Sequence, residues 1–474
     1  MADEFEVYCQ AESLWERGTQ AVDQVPRDVF FGRVGRDGRQ YAPYGPATAF
    51  LVLPHHALGR GVAAAAGLRP GPGAPDPWRE VVAAITSLAT ATWAALAVAG
   101  LFRAARALGA DERRAALAAA LLGSATFLWP YGTFFYAEPI SAALLVWGVA
   151  WHLEGRALPG AAAWCAAFLV KSTNLVLAPA LALLPAAAAL APGQSSPDDL
   201  RRALRAAAPA LGATVVAAMV HAEWNAWRFG DPLQFGYDWT ELLRPGERPR
   251  PFLLTEAPRG LVGLLLTPGK SLLLFAPPLV LALARAPALW RAHRGAALAA
   301  LGAGATALLF FASYFYWEGG YAFGPRHLLP VVPLLLLPLA VGPAPRRAAL
   351  AAVVVVGVSV QALGATVSFM EDQAMGEAAR SSAYYERHAP DDPAVPAGRP
   401  LNRYRLDYNP LVSYPRRLAA HLAGAGPADG GLELLPLHLG RVDPGLRGLG
   451  WGVAAAAMAL LAGAAWRLRA ALAG

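Results

Sequence analysis

Charge is scarce in this chain. Asp, Glu, Lys and Arg make up 15% of its 474 residues, whereas about 25% is usual in soluble proteins. Hydrophobic residues make up 56% and gather in runs of roughly 20, the length that a helix needs to cross the ~30 Å hydrocarbon core of a bilayer. An ordinary soluble protein is therefore excluded, and one polytopic membrane domain accounts for the whole length.

Cysteine is nearly absent, and the histidines are not grouped. The two cysteines, Cys9 and Cys165, are too few for a disulfide framework or a metal cluster. His55, His56 and His221 lack the spacing of metal ligands with other donors. We therefore expect neither a metal nor another cofactor.

A net charge of +7 could suggest a nucleic-acid binder, but the positions of the arginines do not support that interpretation. The arginines stand mostly at the ends of apolar runs and not on a basic face with interleaved aromatic residues. The charge therefore reports membrane topology, and no nucleic-acid partner is expected. Nothing in residues 1–18, which are polar and acidic, resembles a signal peptide.

Apolar runs bounded by arginine, glycine or proline predict an all-α bundle of about eleven membrane spans, with extracytoplasmic loops and interfacial helices. The predicted spans are 81–102, 115–135, 139–153, 160–170, 175–191, 206–226, 271–286, 296–316, 327–341, 348–367 and 449–466. The fourth and fifth are short, so we expect a hairpin that does not fully cross the bilayer. Residues 49–67 are apolar but broken by proline, histidine and arginine, which favours a helix lying in the interface.

The two ends of these spans carry different residues. Arginines gather in one set of loops, at Arg103, Arg106, Arg113, Arg114, Arg156, Arg201, Arg202, Arg205, Arg285, Arg291, Arg294, Arg346, Arg347, Arg467 and Arg469. By the positive-inside rule these loops are cytoplasmic. The opposite short loops, 132–138 and 317–325, contain neither Lys nor Arg and are therefore expected outside.

This threading divides the chain into three parts. Residues 1–367 form the main membrane domain, whose first extracytoplasmic loop is 1–80. Residues 368–448 form an extracytoplasmic segment without an assigned role. Residues 449–474 form the last spanning helix and a cytoplasmic C-terminal tail.

Carboxylates occur at two places on the predicted outer side. Asp3 and Glu4 are adjacent, and adjacent carboxylates at a membrane surface can deprotonate a hydroxyl, because the charge of one raises the basicity of the other. A solvated acidic N-terminus explains the pair equally simply. Glu138 stands at the outer end of a span, where either a functional acid or a plain helix-terminal acid is compatible with the pattern.

Lysine is much rarer than arginine in this chain. Lys171 and Lys270 are the only lysines, so arginine is used almost everywhere else. Lys171 lies between two apolar runs at headgroup depth, where an ammonium is a suitable point charge for a phosphate. The alternative is a lysine that extends to the interface for its own solvation.

A glycine-rich loop, 317–327, carries the last cluster. Its glycines allow a backbone to approach a ligand closely, and Arg326 begins the next span. A tight turn with an anchoring arginine is the alternative. All these clusters face the same side of the membrane, an arrangement that suits a reaction on a lipid-linked phosphate whose tail stays in the bilayer.

These residues resemble a known superfamily. Asp3-Glu4 with Tyr8 and the segment 13–18 resembles the first extracytoplasmic loop of the GT-C glycosyltransferases, which include protein O-mannosyltransferases and the aminoarabinose transferase of lipid A. Further segments resemble the bacterial branch of phospholipid-carrier-dependent glycosyltransferases: 35–41 with 44–46 and 53–54, 228–232 with 236–237, 263–270, and 317–333. The resemblance runs from Asp3 to about Val367, and 368–448 has no counterpart in it.

The resemblance implies an integral protein of the bacterial inner membrane with its active site outside. It implies an enzyme that moves a hexose or pentose from a polyprenyl-phosphate donor to an extracytoplasmic acceptor, a lipid, glycan or protein, with inversion at the anomeric carbon. It implies three catalytic residues, Asp3 as base with Glu4, and Glu138. It implies substrate contacts at Tyr8, Lys171, Trp317, Glu318, Arg326 and His327, of which Lys171 and Arg326 would hold the carrier phosphate.

One departure from the family concerns its first helix. The family has a spanning helix before the acidic pair, whereas Met1 and Ala2 alone precede it here, so we expect that such a helix belongs upstream. Two alternatives to a transferase remain: a transporter or flippase of lipid-linked saccharides, and a scaffold without catalytic activity. A transporter is expected to have ionisable groups near mid-membrane and repeat symmetry, but here those groups lie at the outer rim.

Overall fold

The structure is a computed structural model that describes residues 2–26, 30, 32–71, 76–189, 197–237, 252–320, 322–367, 409–423, 444–455, 458, 459 and 463; for residues 2–4 it describes the backbone alone. The α-helices are α1 (Ala2–Arg17), α2 (Ala47–Ala65), α3 (Pro77–Ala107), α4 (Glu112–Ala125), α5 (Leu128–Tyr131), α6 (Glu138–Leu153), α7 (Ala157–Val170), α8 (Ala178–Ala188), α9 (Pro197–Phe229), α10 (Ala257–Leu266), α11 (Leu272–Phe275), α12 (Pro278–Leu283), α13 (Ala286–Ala292), α14 (Arg294–Ala312), α15 (Val332–Leu335), α16 (Arg347–Thr366) and α17 (Pro410–Leu422), with a further helix at 447–455. Short 3-10 helices cover Ser172–Leu177, Leu254–Glu256, Arg326–Val331, Leu337–Ala340 and Pro444–Leu446.

The predicted all-α class is confirmed. The described sheet consists of one antiparallel hairpin, in which β1 (Arg33–Val34) pairs with β2 (Gln40–Tyr41). The residues between the strands are rich in glycine, and Gly38 adopts a left-handed φ of +79° that closes the turn without strain. The hairpin is a part of the first loop and not of the bundle.

Four helices of the described chain are long and apolar enough to cross a membrane: α3, α9, α14 and α16. Shorter apolar helices, Ala157–Val170, Ser172–Ala188 and Arg326–Ala340, lie among them. The chain is therefore an integral membrane protein. The span count of eleven stays a prediction.

Two predicted spans are broken. The span 115–135 divides into α4 and α5, because Thr126 between them is extended (φ −127°, ψ 160°). The other is 271–286. It divides into α11 and α12, because the consecutive prolines Pro277 and Pro278 lack the backbone N–H that would continue the helical ladder. Hydropathy alone does not detect this break, since both halves remain apolar. The segment is better described as a chain of short helices.

Side-chain caps mark where α3 and α4 begin. Asp76 precedes Pro77 and accepts a hydrogen bond from the backbone N–H of Trp78, and Asp111 accepts one from Arg114 at the start of α4. An acidic cap satisfies a free N–H and interacts favourably with the helix dipole. These caps set the length of the α3–α4 hairpin.

The bundle has two ends of different character. Helices α3 and α6 run in the same direction, as the bond from Trp147 Nε1 to the carbonyl of Leu96 (2.8 Å) and the ion pair between Arg103 and Glu154 show. Both helices finish among the arginines; we call this the arginine end, and the opposite end, where α6 begins at Glu138, the site end. Glu138 and the arginine end thus lie at opposite ends of α6.

Candidate functional site

A buried ion pair lies at the site end. Glu138 stands in the first turn of α6, and Lys171 directly follows α7. The Lys171 Nζ donates to Glu138 Oε1 at 2.6 Å, with 16% of the lysine side chain and 4% of the glutamate side chain exposed. The sequence placed both residues on one side of the membrane, and the structure brings them into contact.

The break after α7 gives Lys171 its position. Lys171 is extended (φ −144°, ψ 115°), so the α-helix ends there and a 3-10 helix follows. The buried Asn174 amide donates to Ser141 Oγ at 2.9 Å and to the carbonyl of Ala167 at 2.8 Å. These bonds tie the break to α6, so the ammonium is held beside Glu138 by a structured turn. The predicted interruption between the fourth and fifth apolar runs is confirmed at this point.

The loop 317–327 brings two further predicted residues to the pair. The Arg326 guanidinium lies over the ring of Tyr136, 5.1 Å from the ring centroid. Tyr136 precedes Glu138 by two residues in the sequence. His327 is stacked on Phe311 with 4.8 Å between ring centroids. Arg326 and His327 therefore belong to the same end of the bundle as Glu138 and Lys171.

His327 is surrounded by positive charge. The charges of Lys171, Arg326 and Lys270 all act on its ring. Within the described part of the chain neither ring nitrogen has a hydrogen-bond partner, although both are buried. An anion bound near this imidazole would reduce the repulsion among the three cations, and it could accept a hydrogen bond from the ring.

Lys270 is a buried cation of the site end that sequence reasoning did not single out. Its ammonium is fully buried and donates to three carbonyls of the glycine-rich loop, those of Gly320 (2.9 Å), Ala322 (2.5 Å) and Gly324 (3.4 Å). Lys270 therefore shapes the loop that ends in Arg326. The rarity of lysine in the chain could have indicated this role, because the planar guanidinium of arginine cannot replace a compact ammonium that donates to three converging carbonyls.

Trp317 and Glu318 lie in the same loop and are both buried, at 3% and 0% exposure. The Trp317 ring packs directly on Gly263, where an added Cβ would lie 2.0 Å from the ring. The resembling segments 263–270 and 317–333 are thus in contact through this ring and through Lys270. Whether Trp317 and Glu318 touch substrate stays a prediction.

The first loop contains a buried polar network. The Tyr8 hydroxyl donates to Glu12 Oε1 at 2.9 Å, and the guanidinium of Arg79 donates to both oxygens of the same carboxylate. Burial, followed by the charge of Glu12, raises the pKa of Tyr8 above its ordinary value, so the hydroxyl stays protonated. This network anchors α1 to α3 and places Tyr8 in the core of the loop.

The two acids Asp3 and Glu4 are in the first turn of α1, and their side chains lie outside the described residues. The helix that carries them is not a solvated tail, because Glu6 and Gln10 are 0% and 1% exposed. Val7 of this helix shares a hydrophobic cluster with residues from both sides of the ion pair, including Phe135, Ala137, Ile140 and Val170. The helix bearing the predicted base therefore packs on α2 and α3 and belongs to the same hydrophobic cluster as the segments that carry Glu138 and Lys171.

Gly45 joins the first loop to the site. Its N–H donates to the carbonyl of Val170 at 3.2 Å, and an added Cβ would lie 2.0 Å from the carbonyl oxygen of Leu169. We expect Gly45→Ala to destabilise the protein by about 1–3 kcal/mol, because the loop must move away from the Lys171 turn. Thermal unfolding in detergent micelles measures the change.

Gly61→Ala is the matched control for this prediction. Gly61 is also a glycine of the first loop, but it lies inside α2 with nothing within 4 Å of an added Cβ. Alanine is favoured over glycine by about 1 kcal/mol inside a helix. The control should therefore unfold at the same or a higher temperature, and equal losses in both variants would contradict the proposed close approach.

The segment after residue 367 also reaches the site end. Tyr414 of α17 is fully buried and stacks on Phe323 of the glycine-rich loop, with 5.7 Å between centroids. Nothing in the sequence signalled this contact. The predicted division at 367 and 448 remains a prediction, since residues 368–408 and 424–443 lie outside the described part.

No cluster of three or more His, Cys, Asp or Glu that could hold a metal occurs among the described residues. The site end holds two buried carboxylates, Glu138 and Glu318, together with several cations and an imidazole. Such a set can bind an anion and stabilise charge that develops on it.

Comparison with known proteins gives limited information. No family model matches the chain, and no curated protein matches it. Among solved structures the chain is similar to the crystal structure of ArnT from Cupriavidus metallidurans in the apo state, at 15% sequence identity and a TM-score of 0.43. The match covers 71% of this chain and 54% of that one, so the chain spans about half the length of its neighbour. The neighbour is an aminoarabinose transferase, the kind of protein that the sequence motifs resemble, and a likeness at this distance assigns no substrate and no residue role.

Proposed function

We propose that the protein is a membrane glycosyltransferase that moves a sugar from a polyprenyl-phosphate donor to an acceptor on the outer face of the membrane. The donor's tail would lie in the bilayer and its phosphate at the site end. The positive-inside pattern supports this orientation, because the arginine end would then be cytoplasmic.

One observation carries the proposal: Lys171, Arg326 and His327 converge beside Glu138 at the end of an apolar bundle. Cations brought together in this way repel one another, and a bound phosphate compensates their charge. The Glu138 carboxylate accepts from Lys171 and orients its ammonium. A phosphate attached to a lipid reaches this position from the membrane plane.

The proposed reaction is a direct displacement. The acceptor oxygen forms a bond with the anomeric carbon while the bond from that carbon to the phosphate oxygen breaks, and the electron pair leaves with the phosphate. Asp3 takes the acceptor proton, with Glu4 beside it. Lys171 and Arg326 stabilise the charge on the leaving phosphate, and attack from the opposite face inverts the anomeric configuration.

A panel of labelled polyprenyl-phosphate sugars tests this function. The purified full-length protein in nanodiscs is incubated with mannosyl, glucosyl, arabinosyl and aminoarabinosyl donors and a membrane extract as acceptor. We expect free polyprenyl phosphate and a labelled product from at least one donor. If every donor stays intact, the proposal is overturned; movement of an intact donor across a liposome membrane would identify a flippase instead.

A further inference from the structure

A second cavity lies in the first loop, apart from the ion pair. It has a volume of about 550 Å³, within the range of small-molecule sites, and is bounded by α1, the β-hairpin and the end of α9. Its lining includes Gln20, Asp37, Tyr41, Phe50 and Trp227. Polar and aromatic side chains thus line one partly open cavity.

The cavity is lined by one segment singled out from the sequence, 35–41, and by the part of α9 that precedes another, 228–232. The hairpin turn docks on the end of α9: the N–H of Arg36 donates to the carbonyl of Arg228 at 2.8 Å. The Arg228 side chain in return donates to the carbonyl of Ala42 at 2.9 Å and is buried. Segments 35–41 and 228–232 therefore form one structural unit whose purpose the proposed donor site does not explain.

Aromatic rings supply one wall of this cavity. Trp224 and Trp227 are stacked with 5.2 Å between centroids, and Tyr41 meets Trp227 edge-on at 5.7 Å. Trp227 is 45% exposed and Phe50 is 56% exposed, so their faces are open. Aromatic faces carry negative charge density and attract the weakly positive C–H groups of a ligand ring.

Polar groups supply the rim. Gln20 is 5% exposed and donates to the carbonyl of Pro46 at 2.9 Å, while its amide oxygen is buried with no partner among the described residues. The Asp37 carboxylate accepts from the Tyr41 hydroxyl at 2.8 Å and from the N–H of Arg39 at 3.1 Å. Although burial acts to raise it, these bonds hold the pKa of Asp37 below its ordinary value.

We propose that this cavity binds a pyranose ring of a saccharide acceptor. A pyranose has an apolar C–H face, which suits Trp227, and a rim of hydroxyls, which suits the Asp37 carboxylate and the guanidinium of Arg39, both in the lining of the cavity. The assignment as the acceptor's subsite rests on the proposed function, whereas the binding of the ring does not.

The position of the cavity suits an acceptor. Pro46, which accepts from Gln20, follows Gly45, which contacts the Lys171 turn. A single turn of the first loop thus has the cavity on one side and the proposed donor site on the other. A saccharide held here would lie beside the donor and not in its place.

Saturation-transfer NMR on the full-length protein in nanodiscs tests the proposal. The probes are methyl α-mannopyranoside, methyl β-glucopyranoside and methyl β-galactopyranoside, with glycerol 1-phosphate as a lipid headgroup. We expect transfer to the ring C–H protons of at least one pyranoside, with affinity about tenfold weaker in Trp227→Ala and in Asp37→Asn. Trp290→Ala, a tryptophan of similar exposure (43%) at the arginine end, should bind as the wild type does.

Three results would overturn the pyranose site. They are no pyranoside binding by the folded wild-type protein, equal binding by Trp227→Ala and Trp290→Ala, or displacement of the pyranosides by glycerol 1-phosphate, which would identify a headgroup site. If the pyranosides bind as expected while no polyprenyl-phosphate donor is cleaved, the cavity stands and the proposed transferase function fails.

Discussion

Asp3→Asn is expected to lower the rate of sugar transfer by about 10²–10⁴-fold, the usual contribution of a positioned general base. The amide keeps the shape of the carboxylate and removes its ability to take the acceptor proton. Donor binding should remain, because the phosphate contacts assigned to Lys171 and Arg326 are unchanged. Single-turnover transfer and donor binding, measured on the same preparation, separate the two effects.

Glu16→Gln is the matched control for the base. Glu16 lies on the same helix, is exposed, and pairs with Arg60 at 2.8 Å. Exposed ion pairs contribute about 0–1 kcal/mol, so this variant should transfer sugar normally. Wild-type turnover by Asp3→Asn would remove the base assignment and leave the donor site untouched.

Lys270→Met is expected to destabilise the protein by about 3 kcal/mol or more and to abolish transfer. Methionine has a similar length but no donors, so three carbonyls of the glycine-rich loop would lose a charged partner in a buried setting. Relief from burying the ammonium offsets a part of this loss. Because Arg326 follows these carbonyls, the loop should release the guanidinium from the site.

Thermal unfolding in micelles measures the stability change, with Arg291→Met as the control. Arg291 is exposed and donates to a single carbonyl, that of Pro287, at 3.2 Å. Its replacement should shift stability by no more than about 0.5 kcal/mol. Equal unfolding temperatures for the two variants would show that Lys270 does not hold the loop.

Local patterns carried much of the fold. Apolar runs ending in arginine predicted the helices and the different character of their two ends. This was possible because the residues that are buried and the residues that face solvent in one helix are neighbours in the sequence. The same logic indicated the break at Lys171, because a lysine and three polar residues interrupt an apolar run. Pro277 and Pro278 also indicate in the sequence that 271–286 is interrupted. The prediction of one continuous span relied on hydropathy and neglected these prolines.

Contacts between distant segments could not be predicted. Lys270 binds carbonyls about 50 residues away, and its role depends on the path of the loop and not on any spacing. Tyr414 stacks on Phe323 from a segment that resembles nothing known. The pairing of Glu138 with Lys171 was implied only as shared sidedness, since a charge pattern does not record which acid meets which base.

The central claim is that Lys171 and Arg326 hold one donor phosphate. Donor binding to nanodisc-embedded wild type, Lys171→Ala, Arg326→Ala and the double variant tests it, with the corresponding dephosphorylated polyprenol as the control ligand. Each single change should weaken donor binding by about 10–100-fold, as expected for a charge-assisted hydrogen bond, without changing polyprenol binding. The double change should cost less than the sum of the two free energies, because both cations act on the same group. Strictly additive losses, or losses confined to acceptor binding, would contradict the claim.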